Sequence, residues 1–220
     1  MIDTHAPIFA NDDCLIHKFR SSYLGSNSYV VEIPEFLYVV DTGYNDGKLI
    51  EYLQENDKPL DAVFLTHAHF DHAGTASAIA EKFHAPVFVL KEDRGTLRQN
   101  NFLLKAIGQQ PDFRTPDCHF VDGGFQFKEF QFHGCPGHTP GSALVTFRGL
   151  TFTGDSVYSD CISLVSLPGE NETVLRNSLL SYKELLKGST AIFPGHGSFS
   201  NGERLFQENT QLVNFLSETN

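Results

Sequence analysis

Short apolar runs separated by polar turns make up the N-terminal part of the chain, and this pattern predicts β-strands. The turns between residues 14 and 41 are brief, so neighbouring strands are expected to pair in antiparallel fashion. The three predicted strands are Cys14–Phe19, Asn27–Ile33 and Phe36–Val40.

Between residues 46 and 110, apolar runs of strand length alternate with segments rich in small and helix-favouring residues. The predicted strands are 61–66 and 86–90, and the predicted helices are 46–54, 74–83 and 91–110. This alternation is typical of an α/β layered fold. The segment 91–115, which contains the last of these helices, is either a lid over a site or an ordinary solvated helix.

In the second half, several short strands lie within residues 117–154 between glycine turns, which indicates an antiparallel or mixed sheet. The pattern then predicts a helix over 173–186, a strand over 190–193 and a closing helix over 203–216. No repeat or linker interrupts the chain, so we expect a single domain over residues 1–220, built as two similar halves.

Composition narrows the class of partner. A chain of 220 residues with 40% hydrophobic content can bury an ordinary core. The formal net charge of −11 argues against nucleic acid or an anionic membrane as the main partner, because both attract basic surfaces. The N-terminus has no secretory pattern, no segment approaches the ~20 apolar residues of a membrane span, and the four cysteines form no CxxC pair. We therefore expect a cytoplasmic protein with reduced thiols.

The densest chemistry of the chain lies between the predicted strand 61–66 and the predicted helix 74–83. Residues 66–72 read Thr-His-Ala-His-Phe-Asp-His, with three imidazoles and one carboxylate in close succession. His67 and His69 can point to one side at the end of the strand, while Asp71 and His72 can approach the same space from the turn that follows. Neutral imidazole and carboxylate are the ligands that zinc prefers where no thiolate is offered. The loop is therefore expected to hold two adjacent cations.

The same ligand types recur at later junctions between strand and loop. His138 lies in a turn rich in glycine and proline, Asp155 follows a glycine at a strand end, and His196 lies between two glycines after the final strand. A pair of metals needs more than four protein ligands, and these residues raise the number of candidates to seven. Asp41, at the end of the third predicted strand, either orients the metal loop or caps a turn.

With these motifs in this order and spacing, the chain resembles the metallo-β-lactamase superfamily over nearly its whole length. The resemblance implies a four-layer αββα sandwich with the metals at the sheet edges, and two Zn²⁺ ions per chain, with iron or manganese as alternatives. It assigns His67, His69 and His138 to one metal, Asp71, His72 and His196 to the second, and Asp155 to a bridge between both. It also makes Asp41 the acidic residue that precedes the motifs.

The implied chemistry is hydrolysis of a small-molecule thioester, ester or lactone. Two divalent ions ~3.5–4 Å apart can generate a nucleophile from water at neutral pH and polarise a carbonyl oxygen, so no serine or cysteine nucleophile is required. Asp71 and Asp155 are the candidate catalytic carboxylates, Asp71 as the group that steers the proton of the nucleophile. The sequence leaves the oligomeric state open.

Within the superfamily, the chain is most similar to the glyoxalase II-like group, which hydrolyses thioesters of glutathione, through its stretches 41–43, 137–141 and 194–197. Asp155 argues against the antibiotic-degrading branch, whose members lack a bridging aspartate there. Two departures make glutathione only one candidate substrate. The chain ends too soon after His196 for the helical domain of the larger glyoxalase II enzymes, and the stretch after Asp155 lacks their glycine-rich turn with a basic residue.

Other activities of the same fold stay open. Persulfide dioxygenases use one iron held by two histidines and an aspartate, here His67, His138 and Asp155, but their characteristic stretch after the aspartate is absent. Lactonases are nearer, and Tyr158 either donates a hydrogen bond to a substrate carbonyl or is a rim aromatic. A non-catalytic binding module is disfavoured because none of the seven ligands is lost.

Overall fold

A computed structural model describes residues 6–163 and 167–217 of the chain. Within these residues, strands and helices alternate and form two β-sheets. The strands are β1 (Phe9–Ala10), β2 (Leu15–Arg20), β3 (Asn27–Glu32), β4 (Leu37–Val40), β5 (Leu60–Phe64), β6 (Val87–Leu90), β7 (Cys118–Val121), β8 (Gln126–Phe127), β9 (Phe130–Gly134), β10 (Ala143–Phe147), β11 (Leu150–Gly154) and β12 (Ala191–Pro194). The helices are α1 (Gly47–Glu55), α2 (Phe70–Ala73), α3 (Ala76–Phe83), α4 (Arg94–Ala106), α5 (Glu172–Ser181), α6 (Lys183–Gly188), α7 (Gly202–Glu208) and α8 (Thr210–Ser217), with a 3₁₀ turn at Lys91–Asp93.

The first sheet has the strand order β1-β2-β3-β4-β5-β6-β7. Strands β2, β3 and β4 pair in antiparallel fashion, as the short turns predict. Strands β4, β5 and β6 are parallel, and helices connect them. Strands β4 and β6 are buried along their whole length, as expected for parallel strands covered on both faces.

The second sheet has the order β12-β11-β10-β9-β8. Strands β8 to β11 form an antiparallel meander, whereas β12 lies parallel to β11. The sheet is therefore mixed, as predicted. Two sheets and interspersed helices confirm the α/β class.

The described residues divide into two compact units, each with its own core. The first comprises residues 6–65, 69–89 and 97–119, and its core includes the stacked rings of Tyr38, Phe64 and Phe88. The second comprises residues 66–68, 90–96, 120–163 and 167–217, and in its core Phe152 stacks on Phe193. The expectation of a single domain stays a prediction.

The prediction of one helix over 173–186 is wrong, because the segment forms α5 and α6. The break is at Tyr182, whose backbone dihedral angles, φ −104° and ψ 12°, leave the helical region. The Tyr182 carbonyl accepts a hydrogen bond from the Leu186 amide and so starts the second helix. No glycine or proline marks this position, so the local pattern does not reveal it.

The predicted closing helix over 203–216 is also two helices, α7 and α8, interrupted at Asn209. Its side-chain oxygen accepts a hydrogen bond from the Leu212 amide at 2.7 Å, which caps α8. Its side-chain amide donates to the carbonyl oxygens of Tyr158 and Cys161, each at 3.0 Å. These three side-chain hydrogen bonds stabilise the non-helical backbone of Asn209.

In the segment 91–115, the predicted helix is a 3₁₀ turn followed by α4. Leu97, Asn100 and Leu104 are buried on one side of α4. One side of α4 is therefore packed and the other faces solvent. The choice between a lid and an ordinary solvated helix stays a prediction. None of the helices in the described part of the chain is both long enough and apolar enough to span a bilayer.

Candidate metal centre

The first group of candidate ligands follows strand β5. Asp71 and His72, predicted to lie in a turn, lie in the one-turn helix α2, and the predicted helix 74–83 begins only at Ala76. The His69 carbonyl accepts hydrogen bonds from the amides of His72 and Ala73, which closes this turn. The histidine-rich loop is therefore ordered by its own backbone hydrogen bonds.

His72 is held by the two residues that follow strand β4. Its Nδ1 atom lies 3.0 Å from Oδ2 of Asp41. The backbone amide and hydroxyl of Thr42 donate to the His72 carbonyl at 2.7 Å and 2.9 Å. A carboxylate at Nδ1 favours the tautomer that keeps Nε2 available for a metal. The contact therefore supports the alternative in which Asp41 orients the metal loop.

Asp71 is anchored through its backbone. Its carbonyl accepts a hydrogen bond from the Ser26 hydroxyl at 2.6 Å, and its Oδ2 atom lies 3.6 Å from Nε2 of His72. Both side chains are buried. Asp71 and His72 thus present one oxygen and one nitrogen in close proximity.

His67 and His138 lie against each other in the second unit. Their rings meet edge to face, with centroids 4.9 Å apart. The Thr66 hydroxyl lies 3.2 Å from Nδ1 of His67, and the Ser163 hydroxyl lies 3.3 Å from Nδ1 of His138. Oε1 of Glu170 is 3.7 Å from the same His138 nitrogen. Polar groups therefore orient both rings from the Nδ1 side.

Asp155 lies between two histidines. Its Oδ2 atom is 3.6 Å from Nε2 of His138 and 3.5 Å from Nε2 of His196. The His196 side chain is 26% exposed, whereas the His138 side chain is 1% exposed. The ring of Tyr158 meets the His196 ring edge to face at 5.7 Å. The His196 side of Asp155 is thus the side that solvent reaches.

All seven candidate ligands fall into groups compact enough to hold a metal ion. In the described part of the chain, the ligand atoms within each of three overlapping groups lie within 4.8 Å of one another. The groups are His67, His69 and His138; His67, His72 and Asp155; and Asp71, His72 and His196. The first and third contain the residues that the resemblance assigns to the two ions, and the second contains Asp155 with one histidine from each. Imidazole and carboxylate donors without thiolate fit zinc and other divalent transition metals. The ligand role of each residue stays a prediction.

Two supporting carboxylates were not predicted from the sequence. Asp93 is fully buried, and its carboxylate accepts hydrogen bonds from the Ala68 amide, the Gly141 amide and the Thr139 hydroxyl. Burial raises the pKa of this carboxyl, although the hydrogen bonds oppose that shift. Glu170, beside His138, is the other. Asp93 follows the end of a strand, as the candidate ligands do, and that position is the signal that could have revealed it.

The chain matches a model of a known protein family over most of its length. That family is the metallo-beta-lactamase superfamily, and the match covers residues 22–196.

Two hydrolases are among the curated relatives with functional names. One is a probable polyketide biosynthesis zinc-dependent hydrolase, PksB of Bacillus subtilis, 24% identical over 185 residues that cover 82% of this chain and 78% of the relative. The other is the hydroxyacylglutathione hydrolase GloC of Haemophilus influenzae, 28% identical over 177 residues that cover 74% of this chain and 80% of the relative.

A solved structure shares the fold. The crystal structure of TTHA1623 in a di-iron-bound form is similar with a TM-score of 0.80 and 26% sequence identity, over 88% of this chain and 98% of that one. That protein binds two iron ions, whereas the name of the PksB relative specifies zinc.

Proposed function

This chain belongs to the metallo-β-lactamase superfamily, and on that premise we propose that it is a binuclear zinc hydrolase that cleaves a small-molecule thioester. The family match and the two-sheet α/β structure together confirm the predicted fold class. The named relatives support a metal-dependent hydrolase. The second ion, the zinc and the thioester are the proposal.

The position of Asp155 is the observation that carries the binuclear assignment. One of its oxygens lies at a similar distance from His138 and from His196, and each of these histidines belongs to a different three-residue group. A single-ion dioxygenase would use His67, His138 and Asp155 and would have no need of the group formed by Asp71, His72 and His196. The presence of this further group therefore favours two ions over one.

Three aspartates have separate roles in the proposed reaction. When bound, the two ions supply Lewis acidity and lower the pKa of a water molecule. Asp155 holds its carboxylate between the two histidine groups, and Asp71 presents a second carboxylate that can accept the proton of the attacking water. Asp41 keeps His72 in the tautomer that binds metal through Nε2.

The thioester is proposed because the GloC relative is named for hydrolysis of a glutathione thioester. A thiolate is also a good leaving group that needs no general acid. A lactone is the second candidate, favoured by the ring of Tyr158 against His196, where a phenol could donate to a carbonyl oxygen. The net charge of −11 supports a small molecule rather than nucleic acid as partner, and a cytoplasmic location stays a prediction.

The first test is elemental analysis of protein purified without added metal. We expect close to two ions per chain, mostly zinc. One iron per chain with no second ion would overturn the binuclear proposal and favour the dioxygenase alternative.

The second test is thiol release from a panel of acyl-glutathione and other acyl thioesters, with lactones assayed alongside by acid release. His196→Gln should lower both the metal content and the turnover. The matched control is His84→Asn, since His84 is an exposed histidine outside the three groups and has a left-handed backbone that asparagine tolerates. Turnover of lactones with none of thioesters would replace the proposed substrate class.

A further inference from the structure

Asp93 has a carboxylate with all of its acceptor positions engaged. Oδ2 accepts hydrogen bonds from the Ala68 amide at 2.7 Å and the Thr139 hydroxyl at 3.0 Å. Oδ1 accepts from the Gly141 amide at 2.8 Å and the Thr96 hydroxyl at 3.1 Å. A buried carboxylate with four donors is a strong and directional junction between the segments that supply them.

Two of these segments carry candidate metal ligands. Ala68 separates His67 from His69 in the chain, and Thr139 directly follows His138. A single oxygen, Oδ2, thus connects the backbone beside His67 with the side chain beside His138. These two histidines belong to the same three-residue group, and their rings are already in contact.

The junction has little room to shift. A Cβ atom on Gly141 would lie 2.5 Å from the Asp93 amide nitrogen, so the two backbones meet as closely as a glycine allows. The Thr139 hydroxyl lies 2.8 Å from the Ser142 hydroxyl, which holds the turn after His138 from its other side. A change at Asp93 should therefore shift both the loop of His67 and the loop of His138.

From this geometry we propose that Asp93 is a positioning residue that sets the separation of His67 and His138, and thereby the affinity of their group for its metal ion. The inference rests on the proposed metal-binding function. Asp93 acts through the Ala68 amide and the Thr139 hydroxyl, and it belongs to none of the three ligand groups found among the described residues.

The test is the zinc affinity of metal-free protein, measured by competition with a chromophoric chelator. Asp93→Asn keeps the shape of the side chain, but its amide group places a donor where two other donors converge. We expect one of the two zinc ions to bind about 10–100-fold more weakly, as is typical when a partner of a metal ligand is lost, and the other ion to bind as in the wild type. The matched control is Thr96→Val, which removes a donor to Oδ1 that lies on neither ligand loop, and its two affinities should stay within about twofold of wild type.

A second pair of variants keeps the proposal testable where Asp93→Asn does not fold. Thr139→Val removes the hydroxyl that donates to Oδ2 and should weaken the binding of one zinc ion. Thr139→Ser keeps the hydroxyl and should bind both ions as tightly as wild type. If Asp93 had a purely structural role, Asp93→Asn would lower thermal stability, but the valine and serine variants of Thr139 would not differ in zinc affinity. Wild-type protein that binds no zinc would contradict the proposed function itself. Wild-type protein that binds two ions, with Asp93→Asn binding both as tightly or with serine failing to restore the affinity, would overturn this inference alone.

Discussion

Nδ1 of His72 and Oδ2 of Asp41 lie 3.0 Å apart, and both side chains are buried. Asp41 reaches this position with a positive φ of 56°, a backbone conformation that is uncommon outside glycine and tolerated best by asparagine and aspartate. Backbone strain of this kind is typical of functional positions. We therefore attribute the strained conformation of Asp41 to its contact with His72 and not to the turn in which it lies.

Replacing Asp41 with asparagine should weaken the metal group that contains His72. The substitution keeps the shape and the tolerated backbone but removes the charge that fixes the tautomer, so we expect about 10–100-fold lower affinity for one zinc ion. Chelator competition on the metal-free protein measures it. Asp57→Asn, an exposed aspartate in the same unit, is the control. Identical affinities in Asp41→Asn and wild type would show that Asp41 only caps its turn.

Gly154→Ala should destabilise the protein and disturb His67. Gly154 has φ +48°, and a Cβ atom there would lie 2.3 Å from the Thr66 hydroxyl oxygen. Backbone strain and overpacking together should cost about 2 kcal/mol or more of the free energy of unfolding. Since the Thr66 hydroxyl also contacts His67, zinc affinity should fall as well.

Denaturant unfolding of metal-free protein measures the stability, and Gly95→Ala is the control of opposite sign. Gly95 lies in α4, and a Cβ atom added there would meet no neighbouring atom within 4 Å, so alanine should stabilise by about 0.5–1 kcal/mol. A Gly154→Ala variant as stable as wild type would contradict the close contact with Thr66.

Asn209→Ala should cost more stability than the loss of a helix cap alone. The substitution removes the cap of α8 and leaves the carbonyl oxygens of Tyr158 and Cys161 without their amide donor. We expect a loss of about 2–4 kcal/mol in thermal or denaturant unfolding. Asn171→Ala removes only the exposed cap of α5 and should cost about 1 kcal/mol. Equal losses in the two variants would mean that the tie to residues 158–161 contributes nothing.

The stability of Asp46→Asn relative to wild type should increase as pH rises. Burial raises the pKa of the Asp46 carboxyl above its usual 3.8, although hydrogen bonds at the start of α1 oppose the shift. The folded protein therefore holds this proton more tightly than the unfolded chain does. Ionisation costs folding free energy as pH rises from about 4 through the raised pKa, and asparagine, an equally good helix cap, avoids that cost. The stability of Asp46→Asn relative to wild type should thus increase between pH 4 and pH 7 in urea unfolding, and a difference that stays constant or shrinks would refute the burial of the charge.

The helix boundaries illustrate where local pattern stops being sufficient. Residues 173–186 and 203–216 have a continuous helical pattern, yet each folds as two helices. Asn209 interrupts the second because its side chain finds partners at Tyr158 and Cys161, about fifty positions earlier in the chain. A residue whose hydrogen bonds lie that far away carries no periodic signal.

The candidate ligand set, by contrast, was predicted from the sequence itself. His67, His69, Asp71 and His72 lie within one loop, and His138, Asp155 and His196 each follow a strand, so residue type and position were enough to nominate them. Metal ligands must be of a few chemical types at the ends of rigid elements, and both properties can be read along the chain.

Tertiary structure alone decided what supports those ligands. Only the fold shows that Asp41 faces His72, and that the Asp93 carboxylate accepts donors from the loops of both His67 and His138. Sequence determines which atoms are available to bind a metal. The orientation of those atoms depends on hydrogen bonds between segments distant in the chain, and these exist only once burial has brought donors and acceptors together.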